Sequence, residues 1–319
     1  MMSADGHYAC SLWNRPTHDG ATEEASNDLG QILTGQIPQC LVFSAGLSGF
    51  LAELPFAETM CDALWVTEEP ETLTQLYNMQ MGAGAAALVT QTRQCSVDKL
   101  RKLDESLRVE SLCFQATRAA YKAAPRFVLG LIDHVEDADS AEDARLYAQQ
   151  AQAFAKAAAH GIVLYDMPSV EAATQALCAI RPVFSRPLMC CLSQQALVDE
   201  MCQTPQSPQT PEQVPLTPKQ VQQRSLQHVY QRLVELGADA VGFSNVSTSF
   251  ARSVCKDSVA AAEQCGCGCL FVVTDTIPAN EVFPQDINAL LDSGVRIIGV
   301  GNTSNINLVA DIARCMNDA

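Results

Sequence analysis

One unit recurs along this chain and limits what it can fold into: the end of a helix, a glycine stop, a short apolar run and a polar exit. It is plainest in residues 233–247, LVELGADAVGFSNVS. Leu233, Val234 and Leu236 are apolar at helical spacing, and Gly237 supplies the left-handed residue that ends a helix. Ala240, Val241, Gly242 and Phe243 follow with no polar alternation, as in a strand covered on both faces of a parallel sheet. Ser244 and Asn245 then open into a loop, and in βα folds this carboxyl end is where ligands bind. The same order appears in QMGAGAAALVTQT (80–92), AHGIVLYDM (159–167) and DSGVRIIGVGNT (292–303).

Taken in order, candidate strands fall at 39–44, 86–91, 126–131, 161–165, 187–192, 240–243, 269–274 and 296–300, with helical stretches between them. That alternation predicts an α/β fold, a closed (β/α)8 TIM barrel forming one domain over residues 36–319. The alternative is a doubly wound sheet, which carries a glycine fingerprint in its first turn; AGLSG at 45–49 is not that fingerprint. Residues 1–35 show no sustained periodicity and read as a flexible leader. QTPQSPQTPEQVPLTP at 203–218 cannot form regular elements and reads as an exposed insertion in the fifth strand-to-helix loop, on the ligand face.

A net charge of −16 argues against nucleic acid as a partner, because few excess cations are available for its phosphates. The 14 cysteines are scattered through candidate strands and helices, which suits small core residues more than a disulfide scaffold and points to a reducing, cytoplasmic setting. No apolar run approaches the roughly 18 residues of a membrane span. The CGCGC run at 265–269 could hold a soft metal, but it precedes the seventh strand, at the barrel's amino-terminal face, with no second ligand pair; structural thiols are expected. Cys190 and Cys191, inside the fifth strand, should place one side chain on each face.

If the barrel forms, the polar strand exits converge on one mouth. Asp166 is the most informative of them: a carboxylate there can bind an amino group or act as a base, or it can cap the next helix. Asp133 and His134 could form an acid–base pair, although adjacent residues leaving a strand diverge, which favours a solvated loop. No P-loop and no HExxH is present.

Several of these stretches, in their order, resemble the homocysteine S-methyltransferase family, including the homocysteine-binding module of cobalamin-dependent methionine synthase. VFSAGLSG (42–49) looks like the family's LDGAMGT, GAAALVTQT (84–92) is similar to GADIVETNTF, and IVLYDMPS (162–169) looks like LILIET. LGADAVGFSNVS (236–247) is similar to LGADAIGLNCS, and RIIGVGNTSN (296–305) stands in the place of IIGGCCGTTP. The likeness runs from about residue 39 to residue 315. It implies a β/α barrel whose mouth binds homocysteine, and a zinc ion held by three cysteine thiolates that keeps the substrate sulfur anionic for attack on a methyl group.

Here the sequence departs from the family. The sixth-strand cysteine position is Asn245, the paired positions of the eighth strand are Gly301 and Asn302, and the first-motif Asp is Ser44. The resemblance therefore implies a substrate site at Ser44, Thr90, Gln91, Asp166, Asn245 and Asn302 with no metal ligands: the family would bring zinc, but its ligands are absent. Asp166 would hold an ammonium. Two functions are expected from this: methyl transfer to a thiol such as homocysteine, or a catalytically inactive barrel that binds an amino acid or partners a corrinoid or folate methyl-transfer protein.

Overall fold

The computed structural model describes residues 20–44, 46–54, 62–96, 99–100, 107–135, 140–203, 216–274, 282–301 and 305–318. Eight strands pair in sequence order around a closed barrel. They are β1 (Leu41–Ser44), β2 (Ala87–Val89), β3 (Phe127–Asp133), β4 (Gly161–Met167), β5 (Leu188–Leu192), β6 (Ala240–Val246), β7 (Gly268–Val273) and β8 (Ile297–Val300). Every pairing is parallel, and the ring closes where Leu41 through Ser44 register against Ile297 through Val300. The longer helices outside the strands are α2 (Pro70–Gly82), α3 (Val109–Lys122), α4 (Ser140–Lys156), α5 (Val170–Ile180), α6 (Gln194–Gln203), α7 (Pro218–Glu235), α8 (Thr248–Cys265), α9 (Val282–Asp292) and α10 (Ile306–Asp318); α1 (Gly20–Leu33) precedes the first strand.

The period of two along each strand divides the core into two layers. Phe43, Val89, Leu129, Val163, Met189 and Val272 are among the side chains that fill the barrel interior. Val42, Leu88, Val128, Leu164 and Val241 pack outward with the helices. Cys190 belongs to the outer layer and Cys191 to the inner one, one on each face as expected. Local signals set the helix ends. Ser169 Oγ accepts from the Ala172 amide, Thr217 and Gln220 form a reciprocal capping box ahead of Pro218, and Gly237 is left-handed at φ +96. Among the described residues no helix is long and apolar enough to cross a membrane.

Two expectations are corrected. Residues 20–33, read as flexible leader, form α1. Leu29, Ile32 and Leu33 are buried and join the interior cluster, so this helix closes the amino-terminal end of the barrel. Gly161 makes room for it: a Cβ at that position would lie 3.1 Å from Leu29 Cδ2. Leu29→Ala should lower stability by about 2–5 kcal/mol, the range for truncating a buried leucine, read as a shifted denaturation midpoint. The second correction concerns the fifth loop. Helix α6 follows β5 directly, so the Pro/Gln-rich stretch lies between α6 and α7; its residues 204–215 fall outside the described residues.

Candidate active site at the barrel mouth

Strands β4 and β6 run two and three residues beyond the stretches that mark them in sequence, and both end in the same irregularity. The pairing register slips between Leu164 and Met167 on β4 and between Phe243 and Val246 on β6. Each slip carries one non-glycine residue in the left-handed region: Asp166 at φ +56 and Asn245 at φ +53. Asp and Asn tolerate that conformation better than other side chains. A bulge of this kind re-aims a side chain, and here two bulges aim at each other across β5. Asn245 Nδ2 donates to Asp166 Oδ2 at 2.7 Å.

The network extends on both sides of that contact. The Ser244 hydroxyl accepts from the Asp166 backbone amide at 3.0 Å and lies 3.4 Å from Oδ1 of the same residue. The Tyr165 hydroxyl donates to Asn245 Oδ1 at 2.8 Å. Burial pushes the Tyr165 pKa up, opposed by the Arg93 cation, so the phenol keeps its proton and fixes which end of the Asn245 amide faces Asp166. Arg93 Cζ stands 5.7 Å from the Tyr165 ring centroid. Tyr165 is buried, while Asp166 and Asn245 remain partly exposed. Asp166 therefore does not cap the next helix; Ser169 does.

Asp133 and His134 are not paired with each other. Asp133 is not solvated either: Lys99 Nζ lies 3.7 Å from its Oδ2 and the Gln94 amide donates at 3.1 Å. Desolvation still dominates and raises its pKa, against the pull of Lys99, the Gln94 amide and Arg93. His134 Nδ1 lies 3.3 Å from the Tyr147 hydroxyl.

The other expected site residues have different work. Thr90 Oγ1 accepts from the Leu131 amide at 3.1 Å and lies 2.9 Å from Thr92 Oγ1, which donates to the Leu131 carbonyl at 2.8 Å. These two hydroxyls extend the β2–β3 ladder past the end of β2. Gln91 Oε1 accepts from the Leu47 amide at 3.1 Å, which ties the exit of β1 to that of β2, and the Gln91 backbone amide donates to the Tyr77 hydroxyl. Ser44 is fully buried, and its hydroxyl has no hydrogen-bond partner among the described residues. Asn302 lies outside the described residues. The structure thus brings Asp166 and Asn245 together and puts Thr90 and Gln91 into the scaffold. It also joins Ser244, another residue of the sixth strand's exit, to the Asp166–Asn245 pair and brings Tyr165 and Arg93 beside them.

Gly301, at the exit of β8, abuts the same network. A Cβ built on it would lie 2.6 Å from the Tyr165 hydroxyl and 2.9 Å from Val272 Cγ1. Among the described residues no three His, Cys, Asp or Glu side chains are grouped closely enough to hold a metal ion. The CGCGC thiols lie where α8 passes into β7, away from the mouth; Cys269 Sγ is 3.3 Å from the Tyr230 hydroxyl, and burial pushes the Cys267 and Cys269 thiols up to about 12.

The sequence profile described as Homocysteine S-methyltransferase matches residues 39–316. No curated protein sequence matches the chain. Among solved structures, the oxidized form of the homocysteine methyltransferase MmuM from Escherichia coli is similar with a TM-score of 0.66 at 14% identity, over 89% of this chain and 99% of that one. The metallated form of the same protein gives a TM-score of 0.61 at 15% identity, over 86% and 96%. The carboxyl transferase domain of Rhizobium etli pyruvate carboxylase gives 0.53 at 10% identity, over 93% and 50%. At these identities the structural likeness is one of fold.

Proposed function

The chain belongs to the homocysteine S-methyltransferase family, and from that premise we propose that its mouth binds a thiol-bearing amino acid such as homocysteine and passes a methyl group to the sulfur without the family's thiolate cage. The observation that carries this reading is the contact between Asp166 and Asn245 on two matched bulges. It holds a partly exposed carboxylate at the rim in a fixed orientation. Two carboxylate oxygens offer about four acceptor positions, so Asn245 and Ser244 leave room for an ammonium. Arg93, beside the Tyr165 ring, adds positive charge on the side where a substrate carboxylate would lie.

In the transfer, the sulfur–methyl bond forms as the methyl group's bond to its donor breaks, and the thiol proton leaves to solvent. A free thiol, with a pKa of about 8.5, is mostly protonated at neutral pH. The Tyr165 phenol keeps its own proton and cannot take that one. Attack therefore waits on ionisation in water. The second reading, a barrel that binds but does not turn over and serves a corrinoid or folate methyl-transfer partner, is favoured by the residues Asn245, Gly301 and Asn302 where the family carries sulfur.

Titration calorimetry with homocysteine and with methyltetrahydrofolate, run beside chromatographic detection of methionine, separates the two. Homocysteine binding with methionine formation is the expected result. Binding with no product from either a folate or a sulfonium methyl donor moves the protein to the second reading, and no heat with homocysteine at millimolar concentration sinks both.

A further inference from the structure

The residues at the mouth do not fit a thiolate metal centre, and the misfit goes beyond the missing sulfurs. We propose that the Tyr165 side chain fills the volume in which ligands from β6 and β8 would meet, so that this mouth excludes a zinc ion even when cysteines are supplied at the exits of those strands. Position 301 shows this most directly. Its Cβ would already lie 2.6 Å from the Tyr165 hydroxyl and 2.9 Å from Val272 Cγ1, closer than real Cβ atoms come to their neighbours. A cysteine needs a sulfur beyond that carbon, and a zinc ion about 2.3 Å beyond the sulfur.

Tyr165 is held where it stands. Its hydroxyl donates to Asn245 Oδ1, and Asn245 Nδ2 is committed to Asp166, so both ends of the amide are in use. Exchanging Asn245 for a thiol leaves the buried phenol without that acceptor, and an unsatisfied buried donor is costly. The Arg93 guanidinium also stands against the ring, 5.7 Å from its centroid. That cation also opposes a second positive charge nearby. The interior side chains of β7 and β5, Val272 and Cys191, lie in the same layer as the ring. The family cage and the Tyr165–Asn245–Asp166 chain are thus alternative fillings of one space. The inference concerns the metal alone and stands whether or not homocysteine binds.

Two measurements on the full chain test it. The first is a thermal-melting cycle of Gly301→Ala, Tyr165→Val and the pair. Gly301→Ala alone should lower the melting midpoint, and adding it to Tyr165→Val should cost clearly less, leaving only the contact with Val272 Cγ1. The second compares zinc stoichiometry and cobalt-thiolate absorbance in the parent, in Asn245→Cys/Gly301→Cys/Asn302→Cys, and in that triple variant with Tyr165→Val added. The parent sets the baseline for the other cysteines. The triple variant should gain no metal over it, and the quadruple variant should gain one equivalent. The proposal is overturned if Gly301→Ala melts like the parent, if the triple variant takes one equivalent, or if a folded quadruple variant takes none. It is also overturned if the parent holds one zinc that Asn245→Ala releases. Should the quadruple variant not fold, the melting cycle decides alone.

Discussion

If the mouth binds homocysteine as proposed, Asp166→Asn should weaken that binding by about ten- to a hundredfold. The exchange keeps the shape of the side chain and its tolerance of φ +56, but turns a charge-assisted bond to an ammonium into a neutral one, a loss of roughly 1.5–3 kcal/mol. An asparagine oxygen still accepts from Asn245, so the melting midpoint should barely move. Asp166→Ala is the poorer probe, because it leaves Asn245 Nδ2 without its acceptor and puts alanine in the left-handed region, and both effects fall on the fold. Titration calorimetry on Asp166→Asn reads ligand recognition separately from stability. An unchanged affinity takes the carboxylate out of the ligand's reach.

The pH dependence of methyl transfer should be equally large. Below the thiol's pKa the anionic fraction rises tenfold per unit, so kcat/KM should climb about tenfold for each unit between roughly pH 6 and 8 and level off near about 8.5. The sign follows from the nucleophile being the deprotonated form and from the absence of any assigned group that takes its proton. A profile flat across the neutral range would mean that something in the protein ionises the sulfur, and would sink the cage-free reading.

The barrel was legible because its signals are local and repeated. Gly237 takes the left-handed conformation its position after Leu236 requires, and the run from Ala240 to Phe243 is buried throughout. The bulges were not legible. An inserted residue leaves no mark on an apolar run, and only the identities of Asp166 and Asn245, both tolerant of positive φ, hinted at it. Tyr165 was missed for a related reason: within IVLYDM it reads as one more core aromatic, and its hydroxyl matters only through a partner 80 positions away on β6. Thr90 and Gln91 carry contacts that sequence alone does not announce. Polar side chains at a strand exit look like ligand contacts, and these two also bond Leu131 and Leu47 of neighbouring segments. Helix α1 was hidden by composition, since GATEEASNDLGQIL carries its large apolar side chains only near its end.

That helix bears on how the protein should be cut for study. The family match starts at residue 39, whereas Leu29, Ile32 and Leu33 stopper the far end of the barrel from ahead of it. A truncation guided by the match would uncork the cylinder and let water reach Phe127, Leu270 and Ile297 from below. Such a fragment would be poor material in any assay, whatever its mouth can do, so a clone must begin upstream of Gly20.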